Sequence, residues 1–169
     1  MDISLKNQLV IAFTALGFIV PPLTVAATVT ATVDVQISTN ITIAAATGMV
    51  FGDMTSGPLG GAVLMNTDGV RVSTGSVELN SASVSSPATF AISGIPNSTY
   101  NVGLPTSVIL SDGGANSMIV TNFRSNPDAS GQLNSSGVQS VTVGGTLNIG
   151  ANQGFGNYSG TMAVVINYN

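Results

Sequence analysis

The chain has 169 residues, of which 6% are charged, with three Lys or Arg against seven Asp or Glu and a net charge of −4, where soluble domains usually carry about 25% charged residues. It has no Cys, His or Trp, so the usual ligands of zinc, haem and iron–sulfur centres are missing, as is the commonest general base at neutral pH, and no metal or cofactor is expected. So few cations cannot neutralise a run of phosphates, which excludes nucleic acid as a partner, and 20 Gly within 44% hydrophobic content point to an all-β domain with many tight turns.

Residues 1–6 form a short leader with one Lys, and residues 9–20 (LVIAFTALGFIV) are uncharged and apolar. That run is too short to cross about 30 Å of hydrocarbon as a helix. Pro21 and Pro22 end it, and Val25 and Ala27 place small residues at −3 and −1 of a cleavage site. Residues 1–27 are therefore expected to be a signal peptide, with no stable membrane insertion once it is removed. Export would take away Lys6 and Asp2, leaving Arg71 and Arg124 as the only cations and the net charge unchanged at −4. Without Cys there is no disulfide to staple the exported domain. Cohesion has to come from burial, from backbone pairing or from a partner.

From Thr28 to Ser38 the chain alternates, with Val29, Ala31, Val33, Val35 and Ile37 on one parity and Thr28, Thr30, Thr32, Asp34 and Gln36 on the other. This is the period of a strand with one apolar face. Residues 40–46 continue the extended pattern, and residues 56–61 (SGPLGG) read as a breaker. Residues 62–65 and 70–72 flank Asn66-Thr-Asp-Gly69, a hairpin in which Asp-Gly supplies the turn, so Asp68 reads as a turn residue and not as an acid catalyst. Further strands are predicted at 76–84, 89–93, 99–104, 107–110, 118–123, 138–143 and 146–149. Turns are predicted at Asp112-Gly-Gly114, at 125–131 and at Gly144-Gly145. No stretch holds apolar spacing at i, i+3, i+4, i+7, so helix should be minor. Short strands every 8 to 12 residues or so predict an antiparallel sandwich.

The last segment predicts one long strand. Gly156, Tyr158, Gly160, Met162, Val164, Ile166 and Tyr168 share one parity, and Asn157, Ser159, Thr161, Ala163, Val165 and Asn167 the other. Here the sequence resembles the subunits of chaperone-usher pili, in which a glycine fourteen residues from the C-terminus and a penultimate aromatic bracket the last strand. Gly156 and Tyr168 stand at those positions. More closely, the chain is similar to a family of Gly-rich exported domains of formerly unknown function often encoded beside pilus chaperones. That likeness runs through Phe51-Gly52, residues 96–104 (PNSTYNVGL), 118–123, Val143-Gly-Gly-Thr-Leu147 and Tyr158-Ser-Gly-Thr161.

The resemblance implies an immunoglobulin-like sandwich, incomplete because its last strand is missing, with an N-terminal donor strand. Residues 28–37 would be the donor extension and residues 38–169 the pilin-like domain. Val29, Ala31, Val33, Val35 and Ile37 would be donated, while Gly156, Tyr158, Gly160, Met162, Val164, Ile166 and Tyr168 would line the acceptor edge, with Asn169 held through its carboxylate by the chaperone. The implied partners are a periplasmic pilus chaperone, an outer-membrane usher and neighbouring copies or related subunits. The implied location is the periplasm in transit and then a surface fimbrium of a Gram-negative bacterium, serving adhesion or biofilm formation. Many pilins have a disulfide near the first strand, and this chain has none.

An enzyme is not expected. Asp34 lies in the alternating first segment, and Asp68, Asp112 and Asp128 lie in Gly- or Pro-rich turns that explain them. No D-x-D-x-D-G run is present for calcium, and aromatic girdles for a membrane barrel are missing. The alternative is a self-contained secreted β-sandwich that binds surface carbohydrate or acts as an adhesin module.

Overall fold

The computed structural model describes residues 40–169, which fall within one compact unit, Ser38–Asn169. The expected signal peptide and the alternating row Val29, Ala31, Val33, Val35 and Ile37 lie outside the described residues. The described chain is all β: β1 (Thr42–Thr47), β2 (Met54–Met65), β3 (Arg71–Leu79), β4 (Ala88–Ser93), β5 (Thr99–Gly103), β6 (Ser107–Ser111), β7 (Ser117–Asn126), β8 (Ser130–Gln132), β9 (Val138–Ile149) and β10 (Val165–Tyr168). All pairings are antiparallel.

A seven-stranded sheet follows the order β1-β4-β9-β2-β3, with β7 on β9 and β6 on β7, and a three-stranded sheet follows β10-β5-β8. The centre is β9. Along one of its edges β4 pairs from Val138 to Val143 and β2 from Gly145 to Ile149, while β7 pairs with the other edge from Thr142 to Asn148. Its inward row passes through two cores. Val141 and Val143 join Ala88, Phe90 and Ile92 of β4 and Tyr100 and Val102 of β5, closing the sandwich between the two sheets. Leu147 and Ile149 join Val63, Val77 and Val120 where the large sheet curls over itself. Phe123 packs against both clusters.

The short alternating segments of the sequence are strands, and the Asn66–Gly69 turn joins β2 to β3. Its backbone closes from Asn66 N–H to Val70 O at 2.9 Å, and Asp68 Oδ1 accepts the Val70 N–H at 3.0 Å. Four readings are corrected. The expected breaker at 56–61 is a bulge within β2, where the register slips between Ser56 and Gly61. Ser76 holds this bulge by accepting the Leu59 N–H at 3.1 Å and donating to Gly60 O at 3.2 Å. The strand expected at 76–84 is β3, which starts at Arg71 and stops at Leu79. The loop expected at 125–131 is partly strand, because β7 runs to Asn126 and β8 starts at Ser130.

The fourth correction matters most. Gly144-Gly145 is not a turn; β9 passes straight through it. A Cβ at Gly144 would run into the backbone carbonyl of Met65, and one at Gly145 would meet the Phe123 ring at 3.0 Å. The pair lies where neighbouring chain passes close to β9.

Substituting Gly144→Ala is expected to lower stability by about 1–3 kcal/mol, the usual cost of forcing atoms into a packed interior. Gly48→Ala, where a Cβ meets nothing within 4 Å, should stay within about 0.5 kcal/mol of the parent. Urea unfolding with an unchanged slope is the check.

Candidate functional site

The final segment runs antiparallel along β5 and β6. Val165 to Tyr168 pair with Gly103 to Tyr100, and farther back Ser159 and Ser111 exchange two backbone hydrogen bonds of 2.9 Å. Between these points the ladder is interrupted opposite Pro105, which has no N–H to give. The long strand expected from Gly156 is therefore a four-residue strand preceded by an extended, mostly unladdered approach. The alternation survives the missing ladder: Met162, Val164, Ile166 and Tyr168 are half-buried, and Thr161, Ala163, Val165 and Asn167 are exposed. All four half-buried residues pack against the core formed by β4, β5 and β9.

Tyr168 is anchored at its tip. Its hydroxyl accepts the Ile95 N–H at 2.6 Å, and its ring lies over Gly94, where a Cβ would strike that hydroxyl. Asn169 is exposed, and its N–H donates to Thr99 O at 3.2 Å. Next to Tyr168 on the paired strand, Tyr100 is fully buried and donates to Gln139 Oε1 at 2.7 Å. Burial pushes its phenol pKa up.

At the other end of the row Gly160 passes close under the Ile109 carbonyl. The Tyr158 hydroxyl donates to Gly154 O at 2.7 Å and accepts from Gln153 Nε2 at 3.0 Å. Gly156 is exposed beside Asp112. The Asn116 side chain, donating to Asp112 Oδ2 at 2.6 Å, and the Gly114 N–H hold the Asp112 carboxyl below its ordinary pKa. What these bonds contribute is in force at neutral pH and is lost as pH falls through that lowered value.

Among the described residues β10 and β8 end the small sheet, and β1, β3 and β6 end the large one, so each of these has a partner strand on one side only. Two of these edges, those of β1 and β10, are considered together because residues beside them pack on one core. The β1 edge continues to Val50, which bridges Ser86 by two backbone bonds of 2.9 Å. Both edges meet the same core: Ile41 and Met49 on the β1 side pack on it as Met162, Val164 and Ile166 do on the other. Below them a cavity of about 530 Å³ lies between residues 49–56 and residues 153–160, floored by Leu110, Met118, Leu147 and Ile149. The sequence row reached one wall of this cavity through Gly156, Tyr158 and Gly160. It missed the opposite wall, Met49 to Met54, for which Phe51-Gly52 was the only signal, because which chain faces which is a property of the fold.

The lining mixes polar residues, Asp53, Ser56, Gln153 and Asn157 among them, with the apolar floor. Among the described residues no three carboxylates come together to hold a metal ion. A second concavity of about 490 Å³ is lined by Leu64 and Met65 together with Asp68, Asp128, Arg124 and Asn122 among others, and no aromatic ring lines it.

These features define an all-β protein of antiparallel sheets with a cavity between residues 49–56 and residues 153–160. The chain belongs to the family described as a domain of unknown function (DUF4402), whose model matches residues 41–168. No curated protein and no solved structure matches it.

Tyr168→Phe should cost about 0.5–1.5 kcal/mol, the ordinary worth of one hydrogen bond. Tyr168→Ala should cost more, because the ring's packing goes too; thermal unfolding of the two variants side by side tests the order.

Proposed function

We propose that this protein is a non-enzymatic structural subunit of a surface pilus, exported and then assembled by strand donation. The single observation that carries this reading is the row Met162, Val164, Ile166 and Tyr168, half-buried along β10 and its approach, where β10 has a partner strand on one side only among the described residues. An extended guest strand laid there would gain backbone hydrogen bonds from the free edge and bury alternate side chains against the core, the physics of β-strand addition. The two edges, 42–50 and 159–168, are each about ten residues long, or about 33 Å when extended. Residues 28–37 match that length and supply five apolar residues at alternate positions.

The proposed partners are a periplasmic chaperone that covers the β10 edge during transit, an outer-membrane usher, and a neighbouring subunit whose residues 28–37 replace the chaperone's strand. If five donated side chains bury roughly 300–400 Å², about 25 cal/mol/Å² gives on the order of 8–10 kcal/mol before ordering costs. That is enough for a long-lived joint. The scarcity of charge also fits a subunit that is always either chaperone-bound or polymerised.

Two variants test the proposal in cells that make the subunit with its chaperone and usher. Deleting residues 28–37 should leave chaperone capture intact and abolish fibres, and Ile166→Asp should abolish capture, so that the subunit no longer accumulates in the periplasm. Fibres of normal length from the deletion, or a stable soluble monomer from Ile166→Asp without chaperone, would overturn it.

A further inference from the structure

The outer face of the large sheet carries two adjacent cross-strand rows. Pairing from β6 across to β3 sets Ile109, Ile119, Asn148, Ala62 and Thr74 side by side. The next row, in the same strand order, is Ser107, Thr121, Thr146, Leu64 and Val72. Opposed residues of antiparallel strands share a face, and the alternate residues Val120, Leu147 and Val63 fill the inner core, so both rows point outward. Neither row contains a charged residue, in a chain whose net charge is −4.

The large apolar members lie at opposite ends of this face. Ile109 is 67% and Ile119 38% exposed at the β6–β7 end, while Leu64 is 41% and Val72 48% exposed at the β2–β3 end. Between them stand Thr121, Thr146 and Asn148. The Asn148 amide is tied down, donating to Ile119 O at 3.2 Å and to Thr121 Oγ1 at 3.0 Å. Beside Ile109 and Ile119 a concavity of about 480 Å³ opens, lined also by Met118 and Ile149.

We propose that this face binds the same face of a second copy. An apolar–polar–apolar pattern is its own complement under a two-fold axis. With the axis lying across the line of the four apolar residues, Ile119 of each copy sits over Leu64 of the other, Ile109 over Val72, and the threonines meet in the middle. The concavity gives the branched side chains of Leu64 and Val72 from the other copy room to enter. An uncharged surface also lets two chains of like net charge meet without opposing like charges at the contact.

Five strands about 4.8 Å apart and two rows about 7 Å apart give a footprint of roughly 300–350 Å², under half of the about 800 Å² that each partner gives to a standard interface. A single pair is therefore weak, and the contact becomes durable where many copies are joined in one assembly and each contact holds the next in place. In a fibre it would join neighbours side by side. That consequence rests on the pilus reading, whereas the pairing itself does not.

The chain contains no Cys, so single cysteines report the contact. Full-length Ile119→Cys and Leu64→Cys proteins are mixed under mild oxidation, and disulfide-linked dimers are measured on non-reducing gels. The mixture should give several-fold more dimer than either variant alone. Adding Thr146→Arg to both proteins, which sets like charges beside the axis, should reduce the yield to that of Val84→Cys, an exposed position off this face. An unchanged thermal midpoint shows that the charge acts on the contact, and Thr121→Arg takes the place of Thr146→Arg if the midpoint falls. Equal yields from the mixture and from each variant alone, or cross-links that survive the arginine, overturn the pairing. Loss of the dimer on adding a synthetic peptide of residues 28–38 overturns it too, by assigning the face to that segment. In cells with chaperone and usher, Thr146→Arg fibres should run singly where parent fibres lie side by side. Parent fibres that lie apart, or bundled Thr146→Arg fibres, overturn the lateral role. Cross-linked dimers from a chain that forms no fibre support the pairing while the pilus reading fails.

Discussion

The structure depends on the passage of β9 through Gly144-Gly145. Because these two residues have no side chains, β2 and Phe123 can close on the strand at its midpoint, and twelve residues run unbroken between two cores. Val141 and Val143 serve one core, Leu147 and Ile149 the other, and Phe123 touches both. A side chain at the midpoint would push β2 and β7 outward and separate what Phe123 joins. In a chain with no disulfide to constrain it, this continuous row is the main mechanical link between the ends of the domain.

The same arrangement leaves edges. With β4 and β2 sharing one edge of β9 and β7 taking the other, β1 is one of the outer strands of the large sheet, and β10 is one of the two outer strands of the small sheet. Residues on or beside each bring apolar side chains to the core, and among the described residues neither strand has a second partner strand. Natural proteins usually guard such edges with Lys, Pro or a covering segment. There is no Lys in β1, β10 or the approach to it, and the half-buried row is held in place by the Tyr168 hydroxyl on Ile95. An edge already held in place reduces what a guest strand must spend on ordering its host.

Much of this was readable from residue order. Alternation over five or six positions placed β1, β4, β5, β6 and the inward parity of the final segment, and Asp-Gly placed the β2–β3 turn. The failures share a cause. Gly-rich stretches signal turns locally, yet Gly144-Gly145 and the 56–61 bulge lie inside strands because neighbouring backbones need the space that a Cβ would occupy. The final strand is shorter than its pattern: its ladder stops where the chain it runs beside passes from β5 to β6 through Pro105, which has no N–H to donate.

The sequence by itself determined the class of the fold, the turn chemistry, the absence of metal-binding His and Cys, and which face of the last segment is apolar, since each follows from side-chain type and a period of two. Only the tertiary structure decided that the apolar row stays half-buried, that among the described residues β10 has one partner strand, that Met49 to Met54 faces residues 153–160, and that Phe155 stands beside a cavity. Those depend on which strands become neighbours, and pairing between segments far apart in the chain is set by packing around β9 and not by any local preference.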